Sequence, residues 1–232
     1  QELLSLYSQN RWLINQDECD SAKLLAMFNE FWRTREKNRQ TILAQYNDVR
    51  RKIISEGKTS WATGSSLSLN LAIGRGDSPG NVEANLRILA KALGYDPEKY
   101  VLTRQTHSDI VRVVTRSDCN GCFHRDYPEC DALVTNDPGV ALTVFTADCT
   151  PLLFHDPVTG AVGAAHAGWK GTVLAIGAKT VEAMTREFGT KPENIRAAIG
   201  PNIGPCCFQT DGDVPQAMRD AFGSEVEPWI RP

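Results

Sequence analysis

The sequence predicts an α+β fold: a mixed β-sheet core flanked by helices, with an extra helical segment ahead of it. Three observations carry this expectation. Short runs of β-branched or small residues recur between turn residues from Leu67 onward, helical periodicities interleave with them without the regular spacing of a doubly wound sheet, and one long amphipathic stretch precedes both. At 232 residues the chain is long enough for one main domain with an appendage. The expected division is a helical extension over 1–57 and a main domain over 58–232.

In chain order, residues 22–55 place Leu24, Leu25, Phe28, Phe31, Trp32, Ile42, Tyr46, Val49 and Ile53 near helical spacing among many charges. That is the pattern of a helix packed on the body or on a second copy, and no chemistry is assigned to it. Gly57 stops it, and the Ser/Thr/Gly-rich segment to Ser68 reads as a loop. Asn81 is the expected N-cap of a helix burying Val82, Leu86, Leu89 and Leu93, with Gly94 as its stop. Strands are expected over 110–114, 132–135, 140–146 and 161–165, bounded by turns such as Asn136-Asp137-Pro138-Gly139. A second helix is expected over 172–188 before Gly189, then a strand over 195–199 and a rigid turn from Gly200 to Pro205 leading into Cys206-Cys207-Phe208.

Composition excludes several function classes. Hydrophobic content of 41% with 23% charged residues is that of an ordinary globular chain, with no apolar run long enough to span a bilayer. A formal charge of −3 gives no general attraction to phosphate backbones or anionic lipid, so neither nucleic-acid nor membrane partners are expected. The basic residues between Arg33 and Arg51 are interrupted by acidic ones. Seven cysteines, unevenly placed, with no secretory pattern at the start, point to a reducing, cytoplasmic setting. Oligomeric state is left open.

The chemistry concentrates in three short stretches. His166 ends a small-residue apolar run in Ala164-Ala165-His166-Ala167-Gly168-Trp169-Lys170-Gly171; His107 lies in Gln105-Thr106-His107-Ser108, and Cys149 in Thr146-Ala147-Asp148-Cys149-Thr150-Pro151. Taken singly, each is as readily a hydrogen-bonded core histidine or an inert packed thiol. Together, each ending or following a strand, they form a candidate zinc site of two imidazoles and a thiolate with the fourth position open, the pattern of catalytic rather than structural zinc. Asp148 and Gln105 are the candidate acceptors that orient the imidazoles. Gly168, Gly171 and Gly204 would let backbone approach a substrate, amides at the start of the 172–188 helix would face an anion such as phosphate, and Lys170 would add a charge. A plain strand-to-helix turn with a solvated lysine accounts equally for those residues. Asn70, in Ser68-Leu69-Asn70-Leu71, is either a turn residue or a polar group facing the site. A second cluster, Cys119, Cys122, His124 and Cys130, is either a structural zinc knuckle or a loop with reduced thiols.

Gln105-Thr106-His107, Asp131-Ala132-Leu133-Val134-Thr135, the Cys149 stretch, His166 to Thr172, and Ile199 to Phe208 occur in consistent order between Ser66 and Phe208. Together they resemble the laccase-domain family, also called the YfiH-like polyphenol oxidases and regarded as purine nucleoside phosphorylases. The resemblance implies a YfiH-like α+β fold and a zinc enzyme that phosphorolyses adenosine, inosine and methylthioadenosine to base and ribose 1-phosphate and deaminates adenosine. It places the metal ligands on His107, Cys149 and His166. Deamination would draw on water activated at the metal; phosphorolysis would need phosphate held beside the ribose, for which Lys170 and the glycine turns are the candidates. Two family elements, an arginine- and glycine-rich strand ahead of Ser68-Leu69-Asn70-Leu71 and a C-terminal Phe-Ser-x-x-Arg-like strand, have no counterpart in these residues. Laccase chemistry fits poorly, because four histidines with no His-x-His pair are too few for a blue copper site plus a trinuclear one.

Two other readings use the same residues. Cys149 activated by His166 or His107 would make a cysteine amidase editing peptidoglycan precursors. Alternatively, the 119–130 cluster would bind zinc in a non-enzymatic interaction module, with the long helix docking a partner.

Overall fold

The computed structural model of the protein describes residues 70–71, 77–121 and 128–230. The expected helix over 22–55, the extension it defines and the loop to Ser68 lie outside the described residues. Contacts divide the chain into two compact units, residues 1–99 with 120–123 and residues 100–119 with 124–232.

In the first unit, helix α1 runs Pro79–Leu93. The expected N-cap, Asn81, lies inside it. Ser78 is the cap, accepting from the Asn81 amide at 3.3 Å, and Pro79 takes the first helical position, where its missing N–H costs nothing. The Asn81 side chain instead donates to Asp77 at 2.8 Å. Gly94 ends the helix as expected, with φ 76°, a left-handed conformation that glycine adopts without strain.

The second unit is built on a five-stranded mixed sheet of order β2-β3-β6-β5-β7, with β2 Val111–Val113, β3 Ala132–Thr135, β5 Thr150–His155, β6 Val162–Ala167 and β7 Arg196–Ile199. Only β2 and β3 run parallel; the other neighbours are antiparallel. A separate parallel pair joins β1 Tyr100–Leu102 to β4 Ala141–Thr143. The sequence signalled β2, β3, β4, β6 and β7 but not β1 or β5. Pro151 reads as a strand breaker, yet it is the second residue of β5, at a strand end where a lost N–H is tolerated.

Alternation along β3 splits the core. Ala132 and Val134 face one cluster with Phe154, Ala165, Ile176 and Met184, while Leu133 faces another with Val101, Val114, Cys130 and Val140. Helix α3, Ile176–Phe188, covers the first face. It approaches closely because β6 is made of small residues there: a Cβ on Gly163 would sit 3.1 Å from Thr180 and 3.2 Å from Met184.

The expected helix over 172–188 is two helices. The chain enters α2, Trp169–Val173, from Gly168, turns at Leu174 and Ala175, and re-enters as α3. Ala175 sits in the left-handed region at φ 60°, which breaks the helical run and sets α3 on the sheet. The Thr172 amide, expected to face an anion, donates to the Gly168 carbonyl at 2.9 Å within α2. A further helix, α4 Asp213–Phe222, and a 3₁₀ segment Gly223–Trp229 follow the sheet, tied together by Arg219 and Glu227 at 2.7 Å. No described helix is long and apolar enough to cross a membrane.

Candidate metal centre

The hairpin register brings two of the three candidate ligands to one end of the sheet. Thr150 pairs with Ala167 and Pro151 with His166, so Cys149, one residue ahead of β5, lies opposite Gly168, just past the end of β6. His107 reaches the same place from the loop between β1 and β2. The ligand atoms of His107, Cys149 and His166 all lie within 4.8 Å of one another, with Cys149 Sγ 3.8 Å from His107 Nε2. The two imidazoles meet edge to face, centroids 4.8 Å apart. Tetrahedral coordination at about 2.0 Å to nitrogen and 2.3 Å to sulfur requires separations of about 3.3–3.7 Å, so holding a cation would need the three side chains to close in slightly. Among the described residues this is the only such group of three.

Exposure grades across the site. His166 is 3% exposed, Cys149 is half-buried and His107 is open to solvent, so the site opens to water on the His107 side. Burial, then the charges of Asp148 and Asp131, pushes the Cys149 thiol up. That upward push runs against the lowered pKa of an activated cysteine nucleophile.

The acceptor that orients the His166 imidazole is Asp131, not the expected Asp148 or Gln105. Asp131 is 0% exposed. Its Oδ1 takes His166 Nδ1 at 2.8 Å and the His107 amide at 3.1 Å; its Oδ2 takes the Thr106 and Ser108 amides at 3.1 and 2.8 Å and the Ser108 hydroxyl at 2.7 Å. Burial alone would raise this carboxyl, but the hydrogen bonds from Ser108, His166 and Thr106 outweigh it and its pKa is lowered. An ionised carboxylate only accepts, so His166 carries a proton on Nδ1 and turns Nε2 toward the site. The sequence signal was available: Asp131 is a lone carboxylate opening an otherwise apolar strand, and such a group is buried with donors around it.

Three successive amides, 106 to 108, converge on one carboxylate, forming an anion-binding nest. That geometry bends His107 into the left-handed region at φ 61°, where a non-glycine residue carries about 1–2 kcal/mol of strain. Asparagine tolerates this conformation better. Metal-free His107→Asn is therefore expected to unfold at the same or a higher urea concentration than the parent, by up to about 1 kcal/mol, while losing metal binding. A fall of more than that would show that the imidazole's packing, not the nest, fixes the loop.

The other expected site residues are distributed as follows. Gln105 clamps Phe145, accepting from its amide and donating to its carbonyl at 2.7 Å each, and also accepts from Thr103; its amide is used in joining two loops. Asp148 is exposed, and its carbonyl accepts from the Ile203 amide at 3.0 Å. Lys170 is exposed, its ammonium 5.4 Å from the centroid of the Trp169 ring. Gly168 borders the ligands directly: a Cβ there would lie 2.7 Å from His107 Cδ2 and 3.1 Å from Cys149 Sγ. Gly171 is buried with a Cβ position 3.3 Å from the Ser108 carbonyl. Gly204 accepts from the Cys207 and Phe208 amides within its own turn. Asn70 belongs to the first unit, where its carbonyl accepts from Asn85 at 2.9 Å. Sequence reasoning also missed Lys179, whose ammonium pairs with Asp109 and ties α3 to the His107 loop. Of the second cysteine cluster, Cys122 and His124 lie outside the described residues; Cys130 is fully buried in the apolar cluster around Leu133, and Cys119 packs against it.

A family model described as multi-copper polyphenol oxidoreductase laccase matches residues 51–230. The human protein named purine nucleoside phosphorylase LACC1 is 38% identical over 158 residues, covering 68% of this chain and 34% of its own length. A purine nucleoside phosphorylase of Deinococcus radiodurans is 44% identical over 159 residues, covering 67% of this chain and 57% of its own. The crystal structure of Bacillus licheniformis hypothetical protein YfiH superposes with a TM-score of 0.66 at 37% identity, over 72% of this chain and 65% of that one. The chain thus spans about a third to three fifths of the length of these curated relatives.

Proposed function

The chain belongs to the multi-copper polyphenol oxidoreductase laccase family, and on that premise we propose that it is a zinc-dependent purine nucleoside phosphorylase. Its substrates in this proposal are adenosine, inosine and methylthioadenosine with phosphate, its products the base and ribose 1-phosphate, with deamination of adenosine as a second activity. The observation that supports it best is the meeting of His107, Cys149 and His166 within 4.8 Å, with His166 oriented by Asp131. Relatives named purine nucleoside phosphorylase support the reaction class.

Two nitrogens and one sulfur suit zinc, and the open side at His107 suits a catalytic rather than a structural ion. Bound there, zinc supplies a Lewis acid that polarises oxygen and lowers the pKa of water. The chain's own residues do the remainder. Asp131 holds His166 in one tautomer, Gly168 keeps the space beside His107 and Cys149 clear, and Lys170 with the glycine turns holds phosphate beside the ribose carbon that the base leaves. The same donor trio accommodates copper, but four histidines in the whole chain do not furnish the several clusters of a multicopper oxidase. The cysteines described, Cys119, Cys130, Cys149, Cys206 and Cys207, are all free, in keeping with a cytoplasmic, reducing setting.

The test is incubation of metal-replete protein with adenosine, with and without phosphate, reading adenine, ribose 1-phosphate and inosine alongside metal content. Adenine and ribose 1-phosphate that depend on phosphate, with about one zinc per chain and none of either in His107→Ala, are the expected result. No product above that variant would end the nucleoside reading; copper in place of zinc would end the metal assignment.

A further inference from the structure

Cys206 and Cys207 are adjacent, exposed and unused by the metal centre, and their sulfurs stand 3.2 Å apart. They sit on a turn held from both sides. Gly200 donates to the Pro151 carbonyl at 2.9 Å and Ile203 to the Asp148 carbonyl at 3.0 Å, so the turn hangs on the segment that carries Cys149. Beyond the pair, the Cys207 and Phe208 amides close on Gly204 at 3.0 and 3.1 Å and Gln209 closes on Cys207 at 3.0 Å, which keeps the two cysteines on a short, tight arc. We propose that this vicinal dithiol is a reversible oxidation site, converted by a peroxide into a Cys206–Cys207 disulfide.

The chemistry balances in two steps. One thiol reduces hydrogen peroxide, giving a sulfenic acid and one water; the neighbouring thiol then displaces the second water, forming the S–S bond, so two thiols lose two protons and two electrons in all. At 3.2 Å the second step needs no diffusion of a resolving partner, and it outcompetes further oxidation. Adjacent residues hold their Cα atoms about 3.8 Å apart, closer than the span of an unstrained disulfide. The ring so formed is strained and exposed, the two features of a bond that thiols readily reduce. It is therefore a switchable modification rather than a structural link.

The experiment treats the zinc-loaded protein with stoichiometric hydrogen peroxide, alkylates it and maps peptides by mass. The expected result is that the peptide bearing both cysteines loses about 2 Da, escapes alkylation and recovers both thiols on addition of glutathione. Cys206→Ser and Cys207→Ser, each with an unchanged circular dichroism spectrum, lose this product. A bond from either residue to another cysteine, a covalent dimer, sulfinic acids without the intrapeptide bond, or no change at all would overturn the proposal. The readout is mass, so it stands or falls separately from the nucleoside assignment.

Discussion

Gly168→Ala is expected to weaken metal binding, and the activity that depends on it, at least about 100-fold while leaving the fold nearly as stable as before. Gly168 has φ −69° and ψ 172°, extended backbone that alanine adopts freely, so the substitution carries no conformational penalty. Its effect is steric and local. The new methyl would stand 2.7 Å from His107 Cδ2 and 3.1 Å from Cys149 Sγ, and the group able to yield is the exposed His107 imidazole, which swings toward solvent and out of reach of a shared ion. Zinc affinity is expected to fall at least about 100-fold, the upper end of what loss of a supporting group costs. The metal-free melting temperature should move by no more than about 2–4 °C, equivalent to about 1 kcal/mol. Calorimetric zinc titration measures the first and a chelator-treated melt the second. Adding His107→Ala to Gly168→Ala should then cost nothing further, because the first change has already removed the imidazole from the site. Retention of parental zinc affinity would mean that His107 is not a ligand.

The grouping of His107, Cys149 and His166 was legible in the sequence because each lies within a few residues of a strand that periodicity and turn residues marked: 110–114 after His107, 140–146 before Cys149 and 161–165 before His166. What joins them was less so. β5 was hidden by Pro151, and without β5 the pairing that sets Cys149 against Gly168 has no basis in sequence spacing alone. The split of the 172–188 helix depends on the left-handed Ala175, a conformation that alanine's own preferences do not announce and tertiary packing imposes. Gln105 and Asp148 drew attention as polar neighbours of candidate ligands along the chain. The orienting carboxylate, however, comes from a residue 24 positions from His107 and 35 from His166, and adjacency across a sheet is fixed by register, not by local sequence.

The lowered carboxyl of Asp131 makes it the residue whose loss reaches furthest, since it supports the fold and the site at once. In Asp131→Asn the shape is kept but one oxygen becomes an NH2. Whichever way the amide turns, a donor then faces donors: either the Thr106 and Ser108 amides with the Ser108 hydroxyl, or the His107 amide with His166 Nδ1. At 0% exposure no water relieves the mismatch, and the expected loss is about 3–5 kcal/mol, the range for breaking a buried charged network by changing one partner. Urea unfolding of the metal-free protein measures it. If the amide keeps its oxygen toward His107 and His166, zinc affinity falls little and the cost appears in stability. If it keeps its oxygen toward Thr106 and Ser108, His166 loses its acceptor, is free to rotate or change tautomer, and zinc affinity falls about 10–100-fold. His166 is tied more closely to Oδ1, at 2.8 Å, than the His107 amide is, at 3.1 Å, yet Oδ2 receives three donors against two. The three win on number, and the expected outcome is loss of both stability and zinc affinity. Asp131→Asn unfolding at the parental urea concentration with parental zinc affinity would show that the carboxylate neither builds the His107 loop nor orients His166.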